Sequence, residues 1–370
     1  MDTYQRKNSY LIVGAGCMGA STALHLKQLL PLSSVTLVDR ARFPNPAAAA
    51  HDLNKVVRTD YDELFYMKLA LEAMDMWKTD PLFSLHYHET GVMWADSDEM
   101  SKTVMENYRS LGIEPAAEIL DPEKARARWG GIFRDTEFPG LKQALYNPIG
   151  GWADAEPALR GVIQKAVDLG GRYVADGVRK VLFSDGGMCI GVQTITGTTL
   201  LADRVTLCTG AHTAQILADS APDRPEMQVG DRMTAAAATM TLFRVPEDQM
   251  HKYSSAPVII NTLAQVQGTL SHRCQTRGII LSRRTGESIP PGSRGLCKCT
   301  YEESFTNKIV HKGSGQVISV PPEPSSQNTW SQDVPSGLKA ETAKVSQLLY
   351  GQWIENLEPV QHRMCWLVYF

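Results

Sequence analysis

A chain of 370 residues is longer than one hydrophobic core usually supports, so two domains are expected. With 43% hydrophobic and 21% charged residues, the composition is that of an ordinary globular protein, and the net charge of −3 argues against a nucleic-acid-binding surface. No apolar run approaches the roughly 18 residues of a membrane-spanning helix, and seven cysteines, an odd number, predict a reducing compartment rather than a disulfide framework.

The chain opens with a strand over 10–13, a glycine turn, a helix to about residue 30 and a second strand over 35–38. In the turn, Gly14 permits a tight bend, Gly16 lets a pyrophosphate approach the backbone, and Gly19 allows the helix to pack closely on the strand. The helix N-terminus supplies free N–H groups for phosphates. Asp39, after the second strand, would accept a hydrogen bond from a ribose 2′-OH, which favours FAD or NAD over NADP. The pattern predicts a βαβ dinucleotide site; the alternative is an ordinary glycine-rich turn.

Further along, apolar spacing and glycine or proline stops predict the remaining elements. They are helices over 64–77, within 98–128, over 157–169 and over 339–349, and strands over 90–95, 189–194 and 204–208, with alternating strand patterns through 234–320 and a polar loop over 321–338. Cys297 and Cys299 form a CxC pair with no accompanying ligand pair, so no metal site is predicted.

Four segments together resemble one known family. They are VGAGCMGASTALHL with VTLVDR, then AAAAHDLNKVVRTDY, then GGWADAEPAL followed by GVRKV and LCTGAHT, and last HRMCW. The chain resembles the sarcosine-oxidase-type FAD-dependent amine oxidases, and most of all the fungal branch that holds fructosyl amino acid oxidases (amadoriases) and saccharopine oxidases. The glycine motif alone is generic, whereas HDLNKVVRTDY and the Cys-Trp pair are specific.

The resemblance implies an α/β fold, α+β overall, in which a Rossmann-like FAD-binding domain is interleaved with a substrate domain built on a mostly antiparallel sheet. The FAD-binding domain is expected over 1–85 and 140–225, completed by 351–370. The substrate domain is expected over 86–139 and 226–350.

The resemblance also implies which residues contact the FAD. They are Gly14, Gly16, Met18, Gly19, Asp39, Arg40, Asn54, Lys55, Arg58, Val178, Thr209, Gly210 and Cys365. Within this set, Lys55 and Arg58 would present positive charge to the isoalloxazine ring; from composition alone they could equally belong to a solvated loop. Cys365 matches the cysteine that bonds covalently to the 8-methyl carbon of the flavin, and the simpler alternative is a buried thiol beside Trp366.

Three residues are implied as catalytic: Lys298, Lys55 and Glu302. Lys298 matches a lysine that assists the reaction of reduced flavin with oxygen, by electrostatic stabilisation of developing negative charge. Glu302 matches an acid that contacts the substrate amine. On a strand, residues 298 and 302 share a face; the alternative is a surface strand with its charges in water.

Two segments depart from the family pattern. Residues 265–286 carry arginines and no acid where the family has a shorter connection, and the chain stops four residues after Trp366, where the family continues into a further strand and helix. We expect both departures to be gene-model artefacts, a retained intron and a read-through into an intron. Sequencing of the transcript checks this, since a spliced message encoding this same chain would contradict it.

The expected function is oxidation of a secondary amine, an N-substituted amino acid, to an imine, with O2 reduced to H2O2. The first alternative is a natural-product enzyme that oxidises an N-methyl amino acid for ring closure; the second is a truncated remnant that holds no flavin; the third is an NAD-dependent dehydrogenase. The expected partners are a small-molecule amine and O2, with no nucleic acid and no membrane. The chain is expected to be a monomer in the cytoplasm or the peroxisome.

Overall fold

The computed structural model describes residues 8–96, 98–138, 141–230, 232–262, 286–322 and 334–369, without the side chains at 98, 302 and 303. Its helices are α1 (Cys17–Leu29), α2 (Leu64–Thr79), α3 (Asp98–Ser110), α4 (Pro122–Ala127), α5 (Ala155–Asp168), α6 (Thr213–Ser220), α7 (Met250–Tyr253), α8 (Ser336–Tyr350) and α9 (Gln352–Glu355). Its strands are β1 (Ser9–Val13), β2 (Ser34–Asp39), β3 (Asn54–Val57), β4 (Tyr87–His88), β5 (Val92–Ala95), β6 (Glu118–Leu120), β7 (Ala144–Asn147), β8 (Gly151–Asp154), β9 (Arg172–Ala175), β10 (Val178–Phe183), β11 (Cys189–Thr194), β12 (Thr199–Leu201), β13 (Arg204–Leu207), β14 (Thr234–Arg244), β15 (Val258–Asn261), β16 (Gly286–Ile289), β17 (Leu296–Phe305), β18 (Lys308–Val310), β19 (Val317–Ser319) and β20 (Pro359–Tyr369).

A parallel sheet in the order β13-β1-β2-β9 forms the nucleotide-binding layer. Small residues on one face of α1, including Ala20 and Ala23, pack with Leu159 and Ile163 of α5 against the apolar face of β1 and β2. Because Ala side chains are short, α1 can lie close to the sheet, and its N-terminus is brought to the carboxyl ends of β1 and β2. This is the edge at which open parallel sheets bind ligands.

An eight-stranded sheet in the order β20-β14-β17-β16-β15-β5-β7-β6 forms the second layer. All its neighbouring pairs are antiparallel except β5 with β15. Helix α8 covers one face through Val345, Leu349 and Tyr350, which are buried among the side chains of β17 and β5. The chain between the two layers forms a small sheet, β3-β8-β4, that carries the end of the HDLNKVVR segment.

The predicted elements within the described residues are present, most with bounds within three residues of those expected. The mixed fold, a Rossmann-like layer interleaved with a mostly antiparallel layer, is confirmed. The domain boundaries remain a prediction. The segment that was expected to complete the FAD-binding domain places β20 in the eight-stranded sheet, hydrogen-bonded to β14, although Trp366, Leu367 and Val368 also reach the cavity described below.

Within the described residues, no helix combines the length and the apolar character needed to cross a membrane. The basic window over 265–286 lies almost wholly outside the described residues.

Candidate functional site

A cavity of about 1710 Å³ opens at the carboxyl ends of β1 and β2. It is larger than the roughly 300–1,000 Å³ of ordinary small-ligand pockets, which suits a dinucleotide together with a substrate. Its walls come from both layers: the glycine turn and α1, the end of β2, the small-residue segment over 47–50, β3, the turn that follows β13, and residues 366–368 of β20 in the eight-stranded sheet. Ten of the residues predicted to contact FAD line it, namely Gly14, Gly16, Met18, Asp39, Arg40, Lys55, Arg58, Val178, Thr209 and Gly210.

The glycine turn has the geometry that a bound pyrophosphate requires. Gly14 has φ +99°, and a Cβ there would lie 2.3 Å from the carbonyl oxygen of Cys208. A Cβ on Gly19 would lie 1.8 Å from the carbonyl oxygen of Gly14, so α1 packs directly on the turn. A Cβ on Gly16 would meet only the Cβ of Ala50, at 3.9 Å, because Gly16 borders the cavity. No described side chain caps α1, so its first N–H groups are available to an anion.

Asp39 is held in place by two donors. Its Oδ2 accepts a hydrogen bond from the Ala15 N–H at 2.7 Å, and its Oδ1 accepts one from Nδ2 of Asn45 at 2.6 Å. An ionised carboxylate has about four acceptor positions, so Asp39 can still accept from a ribose hydroxyl. The sequence analysis did not identify Asn45, whose Oδ1 also accepts from the Ala47 N–H and so ties Asp39 to the cavity wall.

Asp52 brings together three cations from distant parts of the chain. Its Oδ2 lies 3.1 Å from Nζ of Lys298 and 2.9 Å from Nζ of Lys55, and its Oδ1 lies 3.8 Å from Nη1 of Arg363. The side chains of Asp52 and Lys298 are each 2% exposed, whereas that of Lys55 is 42% exposed, to the cavity it lines. Lys298 also donates to the Asn54 carbonyl at 2.7 Å and does not itself line the cavity.

The electrostatics of this cluster favour the ionised forms of Asp52 and Lys55. Burial alone raises the pKa of Asp52, but the cations of Lys298, Lys55 and Arg363 outweigh burial and hold that pKa well below its usual range. Burial alone lowers the pKa of Lys55, but the Asp52 carboxylate outweighs it and raises that pKa above its usual value. Lys55 therefore presents a permanent positive charge to the cavity at neutral pH.

Cys365 lies just behind the cavity wall. The residue is 3% exposed, and its Sγ is 3.8 Å from the carbonyl oxygen of Ala49 and 3.9 Å from Nζ of Lys55, two residues that line the cavity. Its strand, β20, is held by β14, with Ala238 as its paired residue. The Cys365 sulfur is therefore held beside the Lys55 ammonium at the edge of the cavity.

Arg58 is braced against aromatic rings at the cavity wall. Its guanidinium carbon lies 3.8 Å from the ring centre of Tyr61 and 4.7 Å from that of Trp94, and Nη1 donates to the carbonyl of Asp60. Stacking of this kind holds a guanidinium in one orientation. Two other predicted residues do not line the cavity. Asn54 is buried beside Lys298, and Gly19 packs against the backbone of Gly14 in the turn. The Glu302 side chain lies outside the described residues.

The sequence of residues 9–280 matches the family described as FAD dependent oxidoreductase. This match covers most of the chain. The chain belongs to the FAD dependent oxidoreductase family. The residues of the cavity agree with this, because the glycine turn, the uncapped helix N-terminus and Asp39 are those that a dinucleotide pyrophosphate and ribose need.

Two individual proteins of known activity are similar to this chain in sequence. The chain is 28% identical over 267 residues to the L-saccharopine oxidase of Schizosaccharomyces pombe, a match that covers 68% of this chain and 59% of that protein. It is 26% identical over 212 residues to the peroxisomal sarcosine oxidase of Homo sapiens, covering 56% of this chain and 51% of that protein. The chain thus spans little more than half the length of these curated relatives.

Among solved structures, the fold is similar to the deglycating enzyme fructosamine oxidase (Amadoriase II) of Aspergillus fumigatus, with a TM-score of 0.75 and 26% identity over 98% of this chain and 76% of that chain. A modified fructosyl peptide oxidase from Aspergillus nidulans gives a TM-score of 0.76 at 26% identity, over 98% of this chain and 81% of that one. The resemblance to the amadoriase and saccharopine oxidase branch is confirmed.

Proposed function

We propose that this chain binds FAD and oxidises a secondary amine, an N-substituted amino acid, to an imine with release of H2O2. The observation that supports this most strongly is the charge arrangement at the cavity. Lys55 and Arg58 both line the cavity and place two positive charges on one wall. Lys298 lies outside the cavity and is linked to Lys55 by their shared ion pair with Asp52. Bound FAD would take a hydride from the carbon next to the amine nitrogen and pass the electrons to O2.

The protein's residues bind, orient and stabilise charge around this chemistry. The glycine turn and α1 N-terminus hold the pyrophosphate, and Asp39 holds the ribose. Lys55, kept protonated by Asp52, stabilises negative charge that develops on the flavin ring. We assign no side chain as a general base, because an amine that arrives deprotonated needs none. Glu302 is proposed to contact the substrate amine.

We further propose that Cys365 is the point of covalent attachment. The tether would join Sγ to the 8-methyl carbon of the flavin, and the two hydrogens lost from the thiol and the methyl group would reduce one O2 to H2O2. The position of Sγ behind Ala49 and beside the Lys55 ammonium supports this role. The site residues and domain boundaries given above, a monomeric state, and a location in the cytoplasm or peroxisome complete the proposal.

The test begins with an absorbance spectrum of the purified 370-residue chain, followed by anaerobic addition of N-substituted amino acids. Flavin bands that bleach with one of these amines, and peroxide formed on admission of air, would support the proposal. The panel should include fructosyl, saccharopine-type and N-methyl amino acids, since the last also test ring closure by product analysis. A chain without flavin bands, or flavin that no amine in the panel bleaches, would count against it.

A further inference from the structure

Asp52 forms ion pairs with both lysines through the same carboxylate oxygen. Because both nitrogens lie about 3 Å from the same oxygen, they are no more than about 6 Å from each other, close enough for strong repulsion in the protein interior. With Arg363 on the other oxygen, three positive charges face one negative charge. The Nε of Arg363 has no hydrogen-bond partner among the described residues, so this guanidinium is not saturated by the cluster.

We propose that Asp52 is a positioning residue that couples the two lysines. By holding Nζ of Lys298 and Nζ of Lys55 on one carboxylate oxygen, it fixes the direction in which Lys55 faces the cavity and the charge that Lys55 presents there. The inference rests on the proposed function in one respect, that the ring facing Lys55 is the flavin of bound FAD. Lys298, which does not line the cavity, acts on the flavin through this shared oxygen.

The contribution of the Asp52 side chain can be tested separately from that of its main chain. Its carbonyl oxygen accepts from the Glu156 N–H at 3.1 Å and so anchors the start of α5, and its Oδ1 accepts from the Leu53 N–H at 2.7 Å. In Asp52→Asn the carbonyl is unchanged and the amide oxygen can still accept from Leu53. The substitution therefore removes the charge and the shared acceptor while it keeps the size and the local hydrogen bonds.

Other groups near Lys55 also affect its pKa. Cys365 and Glu287 both favour its protonated form, and Cys17 lies within electrostatic range of it. These groups remain in the Asp52→Asn chain. A change in the titration of Lys55 on this substitution therefore reports the loss of the Asp52 carboxylate.

The first experiment needs no flavin. The full chain is produced flavin-free in riboflavin-limited cells, and acylation of Lys55 is followed by mass spectrometry against pH, with the exposed Lys124 as internal reference. In Asp52→Asn, Lys55 should titrate at least one unit lower and react about tenfold faster at pH 8, while Lys124 is unchanged. Asp52→Glu should restore slow labelling. Equal labelling of Lys55 in the parent chain and in Asp52→Asn would overturn the proposal.

A second variant covers the case in which Asp52→Asn does not fold, as judged by circular dichroism. Lys298→Met removes the competing donor and a repelling cation, so Lys55 should be held more tightly and label several-fold more slowly than in the parent. Faster or unchanged labelling contradicts the coupling.

The final experiment uses the flavin-loaded chain and a pH profile of flavin reoxidation by O2. The parent rate should be flat from about pH 6 to 9, because Lys55 stays charged, whereas the Asp52→Asn rate should fall as pH rises and Lys55 loses its proton. A flat profile in both would overturn the proposal even if the chain oxidises amines. Conversely, a chain that binds no flavin refutes the proposed function, while the labelling result still decides the role of Asp52.

Discussion

The Sγ of Cys365 and the Nζ of Lys55 lie 3.9 Å apart, although 310 residues separate them in sequence. One belongs to the strand that ends the eight-stranded sheet and the other to the cavity wall. The contact places the Cys365 sulfur beside a residue that lines the cavity, which is the position that the proposed tether needs.

We expect Cys365→Ser to bind FAD without a covalent bond. After acid precipitation the parent chain should retain its yellow colour in the pellet, whereas the variant should release nearly all of its flavin into the supernatant. Cys17→Ser is the matched control, because Cys17 lines the same cavity but burial raises the pKa of its thiol. Flavin that stays in the Cys365→Ser pellet, or leaves the Cys17→Ser pellet, would contradict the assignment.

The second and third glycines of the turn, Gly16 and Gly19, should respond differently to alanine. Gly19→Ala places a Cβ 1.8 Å from a backbone oxygen that cannot move aside, so we expect a loss of about 3 kcal/mol or more in the free energy of unfolding. Gly16→Ala meets only Ala50 at 3.9 Å and should leave stability within about 1 kcal/mol while it weakens FAD binding at least tenfold. Urea unfolding and FAD titration measure the two effects. Equal stability loss in both variants would show that the close packing of α1 on the turn is not what distinguishes them.

Replacement of Lys298 should slow the oxygen step selectively. In Lys298→Met we expect the rate of flavin reoxidation to fall by about 10²-fold, because Asp52 then holds Lys55 alone and Lys55 no longer faces the flavin in its native direction, while anaerobic reduction by amine changes by less than about fivefold. Stopped-flow absorbance separates the two steps. Lys27→Met is the control: Lys27 is also a buried lysine, but it donates to the carbonyls of Pro31 and Ser33 at the end of α1. Equal slowing of both steps would argue that Lys298 only supports the fold.

Ionisation of Asp60 should lower the free energy of unfolding of the chain as pH rises. Burial raises its pKa, although hydrogen bonds such as that from Nδ2 of Asn147 at 2.7 Å oppose the shift. An acid whose folded-state pKa lies above its unfolded value contributes most at low pH, and its contribution falls as pH passes from the unfolded pKa up through the folded one.

Asp60→Asn, which stays neutral, should therefore be more stable than the parent at pH 7 by about 1–3 kcal/mol and show little gain at pH 3.5. Denaturant unfolding at both pH values gives the comparison. A gain of the same size at pH 3.5 and pH 7 would mean that ionisation of Asp60 is not its source.

The parts of the site that lie close together in sequence could be predicted, because local chemistry determines them. The glycine spacing and Asp39 belong to one βαβ unit of about thirty residues, whose geometry follows from general packing rules. The resemblance of four segments to a known family then extended the prediction to Lys55, Arg58 and Cys365. In each case a short motif carried the information.

Asp52 and Arg363 were missed because their role depends on contacts between distant segments. A buried carboxylate is recognisable only when its cations are known, and here they come from β3, β17 and β20. One signal was available: Cys297 and Cys299 are apolar neighbours buried on one face of β17, so strand alternation turns Lys298 to the opposite face, where a buried ammonium needs an acceptor. Asp52 lies three residues before Lys55 in the same HDLNKVVRTDY motif and is the acid of that motif closest in sequence to Lys55.

The ion cluster around Asp52 also has a consequence for the order of events during folding. Its members are 246 and 311 positions apart along the chain, so it cannot form from a nascent N-terminal half, even though that half contains the whole glycine turn. Contacts of such long sequence separation form late and slowly. The βαβ unit that carries the glycine turn can therefore form before the ion cluster that sets the charge on the cavity wall.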